Sequence, residues 1–114
     1  MTARRKSKTE RHVAGGHNVY ADLGYPDAVE MLVKAQLVAK IGEILSERGS
    51  TQVDAAFLLG ISQPKLSKIL RGQFRGVSER KLMDCLAKLG RDMEIVVRAA
   101  PKKRLQGSVS VTFT

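Results

Sequence analysis

Residues 52–72, QVDAAFLLGISQPKLSKILRG, constrain this 114-residue chain more than any other stretch, because their punctuation spells two short helices joined by one tight turn. Thr51 can cap a helix through its hydroxyl, and Asp54, three residues on, places a carboxylate at the positive helix end. The first helix therefore opens at Gln52. Val53, Ala56 and Phe57 recur at helical spacing as its core face, Leu59 adds a flanking apolar contact, and Gly60 tolerates the positive φ that ends the helix after about two turns. Ile61 is the one apolar residue of the turn, and Ser62 can cap a second helix beginning at Gln63. Pro64 falls in the first turn of that helix, where its missing N–H has no intrahelical partner to lose. Leu66, Ile69 and Leu70 then form one apolar face and leave Gln63, Lys65, Ser67, Lys68 and Arg71 on the others, with Gly72 as the second stop. Ala56 is small where two helices crossing near a right angle must approach closely. The pattern predicts a helix-turn-helix whose second helix has a polar, basic outer side.

The set Gln52, Ala56, Gly60, Ile61, Gln63, Ser67 and Gly72 resembles the pattern of the lambda-repressor-like, or Xre-type, helix-turn-helix regulators. The likeness widens to residues 22–98, with DLGYPDAVEMLVKAQLVAKIGEILSERG before the motif and LAKLGRDMEIVVR after it, where the chain resembles the HigA2-like branch of small regulators that includes antitoxins. The resemblance implies double-stranded DNA as the partner. It also implies that Gln52 touches a phosphate and braces Gln63, and that Gln63 contacts a base.

Charge points the same way without reference to the motif. Twenty Lys plus Arg against 11 Asp plus Glu leave a formal charge of +9, which suits an acidic polymer. Residues 1–18 hold five basic groups and one acidic, 50–76 four and one, and 98–114 four and none, whereas 19–49 hold three and five and 77–97 four of each. The motif and both ends are therefore positive. No apolar stretch approaches the roughly 20 residues needed to span a bilayer, and Arg4, Arg5 and Lys6 precede no apolar signal core, so a soluble, cytoplasmic protein is expected.

The same residues argue against an enzyme. Cys85 is the only cysteine and lies in the apolar row Leu82, Cys85, Leu86, Leu89, which reads as a small buried hydrophobe. His12 and His17 have no second ligand at metal spacing, and no nucleophile set, carboxylate pair or phosphate-cradling loop occurs. No catalytic residue, metal or cofactor is expected. Exposed rings for stacking single-stranded bases are also few, since the aromatics are Tyr20, Tyr25, Phe57, Phe74 and Phe113, with Phe57 assigned to the core.

Two further helices should hold the motif. Over 27–48, Val29, Leu32, Val33, Leu37, Ile41, Ile44 and Leu45 recur at helical spacing, with Asp27 and Glu30 as a cap-like opening after Pro26 and Gly49 as the close. Over 79–89, Ser78 caps, Val77 can staple onto Leu82, and Gly90 stops. The loop of Gln73, Phe74, Arg75 and Gly76 lies near where a DNA backbone would pass. After Gly90 the period changes: Met93, Ile95 and Val97 alternate with Glu94, Val96 and Arg98, as in a strand. One strand needs a partner. The favoured one is its equivalent in a second subunit, giving a homodimer through Met93 to Arg98 that reads half-sites roughly 34 Å apart; the alternative is an internal hairpin with Val109, Val111 and Phe113.

The expected architecture is mainly α: a lambda-repressor-like four-helix helix-turn-helix domain over 19–90, followed by a short C-terminal β-strand and basic tail over 91–114, and preceded by a disordered basic tail over 1–18. That tail would either follow DNA as a basic arm or merely solubilise the chain. The DNA-facing set is Gln52, Ser62, Gln63, Pro64, Lys65, Ser67, Lys68, Arg71 and Arg75. The expected function is a sequence-specific autorepressor on a palindromic operator, with a small ribonuclease toxin as a further partner if the chain is the antitoxin of a HigBA-type pair. Alternatives are a solitary Xre-type repressor and a nonspecific nucleic-acid-binding module. Asp22, Asp27, Glu30, Glu43 and Glu47 could present the acidic face that a basic toxin would need.

Overall fold

The computed structural model describes residues 11–12 and 18–114, so the basic stretch 1–18, expected as a disordered tail, lies almost wholly outside the described residues. In chain order the elements are β1 (Arg11–His12), α1 (Val19–Asp22), α2 (Ala28–Arg48), α3 (Gln52–Leu59), α4 (Gln63–Leu70), α5 (Glu79–Lys88) and β2 (Thr112–Phe113). The mainly helical fold with a short C-terminal strand is as expected, although that strand lies at Thr112–Phe113 and not over 93–98, and α1 is an additional turn that the apolar period did not announce.

Three hydroxyls set where α3, α4 and α5 begin. Thr51 Oγ1 accepts from the amide of Asp54 at 3.1 Å, Ser62 Oγ from Lys65 at 3.2 Å and Ser78 Oγ from Lys81 at 3.0 Å. Asn18 does the same for α1 through Ala21. Asp27 sits at the N-cap of α2 but makes no side-chain cap bond, because its carboxylate is turned toward Arg75. Gly60 ends α3 at φ 71°, which lets the amide of Ile61 reach back to the Ala56 carbonyl at 3.1 Å. A side chain at that φ would be strained, so the sharp turn into α4 depends on glycine.

The core lies where α2, α3, α4 and α5 meet, with Ile41, Leu59, Leu66, Leu82 and Leu86 as its most enclosed large side chains. Ile61 packs against this cluster from the turn, as its position in the motif implies. Two assignments are corrected. Phe57 is 89% exposed and Val53 is also exposed, while Ala55, Ala56 and Leu59 face inward. Residues 55–59 are all apolar, so periodicity alone does not fix the phase of so short a helix; the close approach at Ala56 does. In the first half of α2 the buried positions are Met31, Lys34, Gln36, Leu37 and Val38, with Val29 exposed and Leu32 and Val33 half-buried. Phe74, in the loop after α4, is buried and extends the core beyond the helices.

Basic side chains join the helices by hydrogen-bonding carbonyls at chain turns. Lys88 Nζ donates to the Leu59 carbonyl at 3.2 Å, and Arg48 Nη2 to the Leu89 carbonyl at 3.0 Å. Cations at helix C-termini also oppose the negative end of the helix dipole.

Residues 91–100 carry no regular secondary structure in the single chain and are exposed throughout. The internal hairpin is not formed. β2 instead pairs antiparallel with β1, Arg11 opposite Phe113 and His12 opposite Thr112. Val111 is half-buried against the core, and Lys40 Nζ stands 5.1 Å from the Phe113 ring centroid, which fastens this end of the chain to α2.

Candidate nucleic-acid interface

α4 divides cleanly around its circumference. Leu66 and Ile69 are buried and Leu70 is half-buried, which fixes the helix on the core. Gln63, Pro64, Lys65 and Lys68, with Arg71 just past the helix, are exposed, and Ser67 is half-buried at the boundary. At about 100° per residue these exposed positions fall on one continuous arc. Among the described residues Lys65, Lys68 and Arg71 join no ion pair, so their charge is uncompensated at the surface. Ser62 is committed to its cap, although its exposed position leaves it at the same end of the helix.

Gln52, at the first turn of α3, is exposed as Gln63 is. Among the described residues no hydrogen bond links the two glutamine side chains. The brace implied by family resemblance is therefore not made in the free chain.

Arg75 differs from the other cations of the set. Its guanidinium pairs with the Asp27 carboxylate and lies 5.0 Å from the Tyr25 ring centroid. Its carbonyl accepts from Lys34 Nζ at 2.8 Å, and Lys34, only 3% exposed, also pairs with Glu30 at 3.0 Å. The loop after α4 is thus held by the start of α2, more than 40 positions earlier in the chain. Sequence reading missed Lys34 and the Asp27 contact. The one available sign was Lys34 sitting four residues after Glu30 on a face that otherwise reads as apolar.

Among the described residues no three His, Cys, Asp or Glu side chains gather to hold a metal. Cys85 is buried, and desolvation pushes its thiol pKa up against the opposing pull of Lys81 and Lys88, so it stays protonated at neutral pH. No helix among the described residues is long and apolar enough to cross a membrane.

The helix-turn-helix domain family model matches residues 19–98, from α1 through the exposed segment after α5. A solved structure provisionally named an XRE family transcriptional regulator superposes with a TM-score of 0.71 at 36% identity, covering 75% of this chain and 97% of that one. The chain belongs to the Xre-type helix-turn-helix family. No curated protein matches it. In this Xre-type domain α3 and α4 are the two motif helices, α4 occupies the recognition position, and α2 and α5 form the support that fixes its angle. The matched span stops short of β2 and begins after β1, so the antiparallel pair lies outside it.

Proposed function

We propose that this protein is a DNA-binding transcriptional regulator that represses by occupying a promoter, its own among them, as a cytoplasmic homodimer. The observation that carries this reading is the exposed arc of α4, where Gln63 opens the helix and Lys65, Lys68 and Arg71 follow with no acidic neighbour in ion-pair contact among the described residues. With the N-terminal half of α4 in the major groove, Gln63 reads a base, adenine being the best match to its amide, and Lys65 and Lys68 reach guanine edges or phosphates. Gln52 and Ser62 at the helix starts, Pro64 and Ser67 beside Gln63, and Arg71 and Arg75 beyond the helix complete the contact surface.

The homodimer reading rests on residues 93–98. Ile95 is 80% exposed and Val97 91% exposed, Val96 is exposed between them, and the backbone there has no hydrogen-bond partner among the described residues. Three consecutive exposed β-branched residues with free backbone groups favour addition of an equivalent strand. An open groove of about 380 Å³ beside them is lined by Met83, Ala87, Met93 and Ile95 together with Arg80, Asp84, Arg91 and Asp92, and offers the same partner a mixed apolar and charged surface.

An antitoxin role is the second reading, favoured by the extent of the family resemblance. Its acidic face is smaller than the sequence suggests, since Asp27 pairs with Arg75, Glu30 with Lys34 and Glu43 with Lys40. Co-expression with the product of the adjacent reading frame separates the two readings: a stable complex with a small basic ribonuclease supports the antitoxin, and no complex supports the solitary repressor.

The primary test is titration of a duplex carrying this gene's own promoter against a scrambled duplex at two salt concentrations. A preference of about a thousandfold or more supports the operator reading. Equal, steeply salt-dependent binding to both duplexes would reduce the function to nonspecific association.

A further inference from the structure

Arg75 is the first charged residue beyond the recognition helix and its following turn, and yet among the described residues it is the one cation of the proposed DNA-facing set already held in an ion pair. Its backbone and its side chain are held by different groups. Lys34 Nζ fixes the carbonyl, while Asp27 and Tyr25 hold the guanidinium, which keeps its side chain 54% exposed. The side chain can therefore swing while the loop stays in place.

The Asp27 carboxylate is poorly served apart from this contact. Oδ2 pairs with Arg75, Oδ1 is buried with no hydrogen-bond partner, and the residue makes no cap bond to α2. A carboxylate so placed gains its compensation from Arg75, so the closed arrangement is the resting one. A DNA phosphate offers the guanidinium two oxygens for bidentate pairing in a stronger field, where Asp27 engages it through Oδ2 alone.

We infer that Asp27 and Tyr25 form a latch on Arg75, and that binding duplex DNA opens it by exchanging the Asp27 carboxylate for a backbone phosphate. The inference rests on the DNA-binding reading above. The latch sets aside part of the affinity of the protein, because Arg75 must leave one anion to reach another. Asp27 is accordingly a positioning residue: it touches no DNA and controls a side chain that does.

The test is a double-mutant cycle read by duplex titration, paired with nitrogen-15 NMR of the Arg75 side chain. Asp27→Asn keeps the shape and a residue suited to the N-cap but removes the charge. It should tighten binding about two- to fivefold, the range expected of a half-exposed ion pair. In an Arg75→Ala background the same substitution should change nothing. An equal gain in both backgrounds, or a gain matched by Glu47→Gln, would mean that Asp27 acts only as general negative charge, and the latch would fall. Weaker binding by Asp27→Asn alone would overturn it as well.

In the DNA-free protein, the guanidinium signals of Arg75 should show restricted rotation that Asp27→Asn releases. Addition of duplex should move them to a new restricted state. Freely rotating Arg75 in the unbound wild type would refute the latch whatever the titrations show. Restricted Arg75 in a protein that binds no duplex would leave the intramolecular contact standing while removing both the phosphate exchange and the functional reading it depends on.

Discussion

Replacing Lys34 by Met sets two effects against each other, and the structure decides the sign. Lys34 is 3% exposed, but its partner Glu30 stands half in water, so removing the charge returns only about 1 kcal/mol of the several that desolvating a fully buried ion costs. Against this, the change breaks a charge-assisted hydrogen bond to the Arg75 carbonyl, worth about 1.5–3 kcal/mol, and leaves that partly buried oxygen without a donor. The other partner, Glu30, is 47% exposed and rehydrates when freed, so its share is only about 0.3–0.5 kcal/mol. Methionine fills much of the lysine stem volume and limits any cavity. We expect a net loss of about 1–2 kcal/mol, because the loop carbonyl is tied to Lys34 while the loop itself carries the buried Phe74. Urea unfolding followed by circular dichroism should show a lower midpoint at unchanged slope, and the melting temperature should fall about 4–8 °C for each kcal/mol lost. Equal or greater stability in Lys34→Met would show that water serves the carbonyl and that burying the ammonium is a net cost, refuting the view that Lys34 fastens this loop.

Gln63→Ala should weaken operator binding by about 1–3 kcal/mol with a smaller loss on scrambled duplex, and equal losses on both would remove its base-reading role. Arg71→Ala should lower affinity for every duplex and flatten the logarithmic salt slope by about one unit; an unchanged slope would place Arg71 off the phosphate backbone. Ile95→Asp should convert a sedimenting dimer to monomer while leaving the helical circular dichroism intact, whereas a wild-type protein that sediments as a monomer would end the strand-pairing proposal. Cys85 should resist alkylation at neutral pH in the folded protein and react on unfolding; rapid labelling of the native state would contradict its burial.

The limits of α3 and α4 were legible because local chemistry writes them: hydroxyl caps at Thr51 and Ser62, a proline in the first turn, and a glycine at positive φ between the helices. The exposed arc of α4 followed from period alone, since its polar and apolar residues segregate strictly. The phase of α3 did not, because a run of five apolar residues gives no contrast to read, and Phe57 was turned the wrong way. Phe74 was missed for a related reason: an aromatic in a loop has no period to place it. Least legible were the contacts of Arg75 and the pairing of β1 with β2. Both join residues far apart in the chain, and spacing rules reach only about one helical turn.

The separation of labour within α4 bears on how such a protein changes over generations. The residues that define the helix, Ser62 at its cap, Pro64 in its first turn, and Leu66 and Ile69 on the core, are different from most of those that point outward. Substitutions at Gln63, Lys65 or Lys68 therefore alter the chemistry offered to a partner without moving the scaffold that presents it. Duplicated copies of such a gene can diverge toward different targets through a few surface replacements, each intermediate remaining a folded protein.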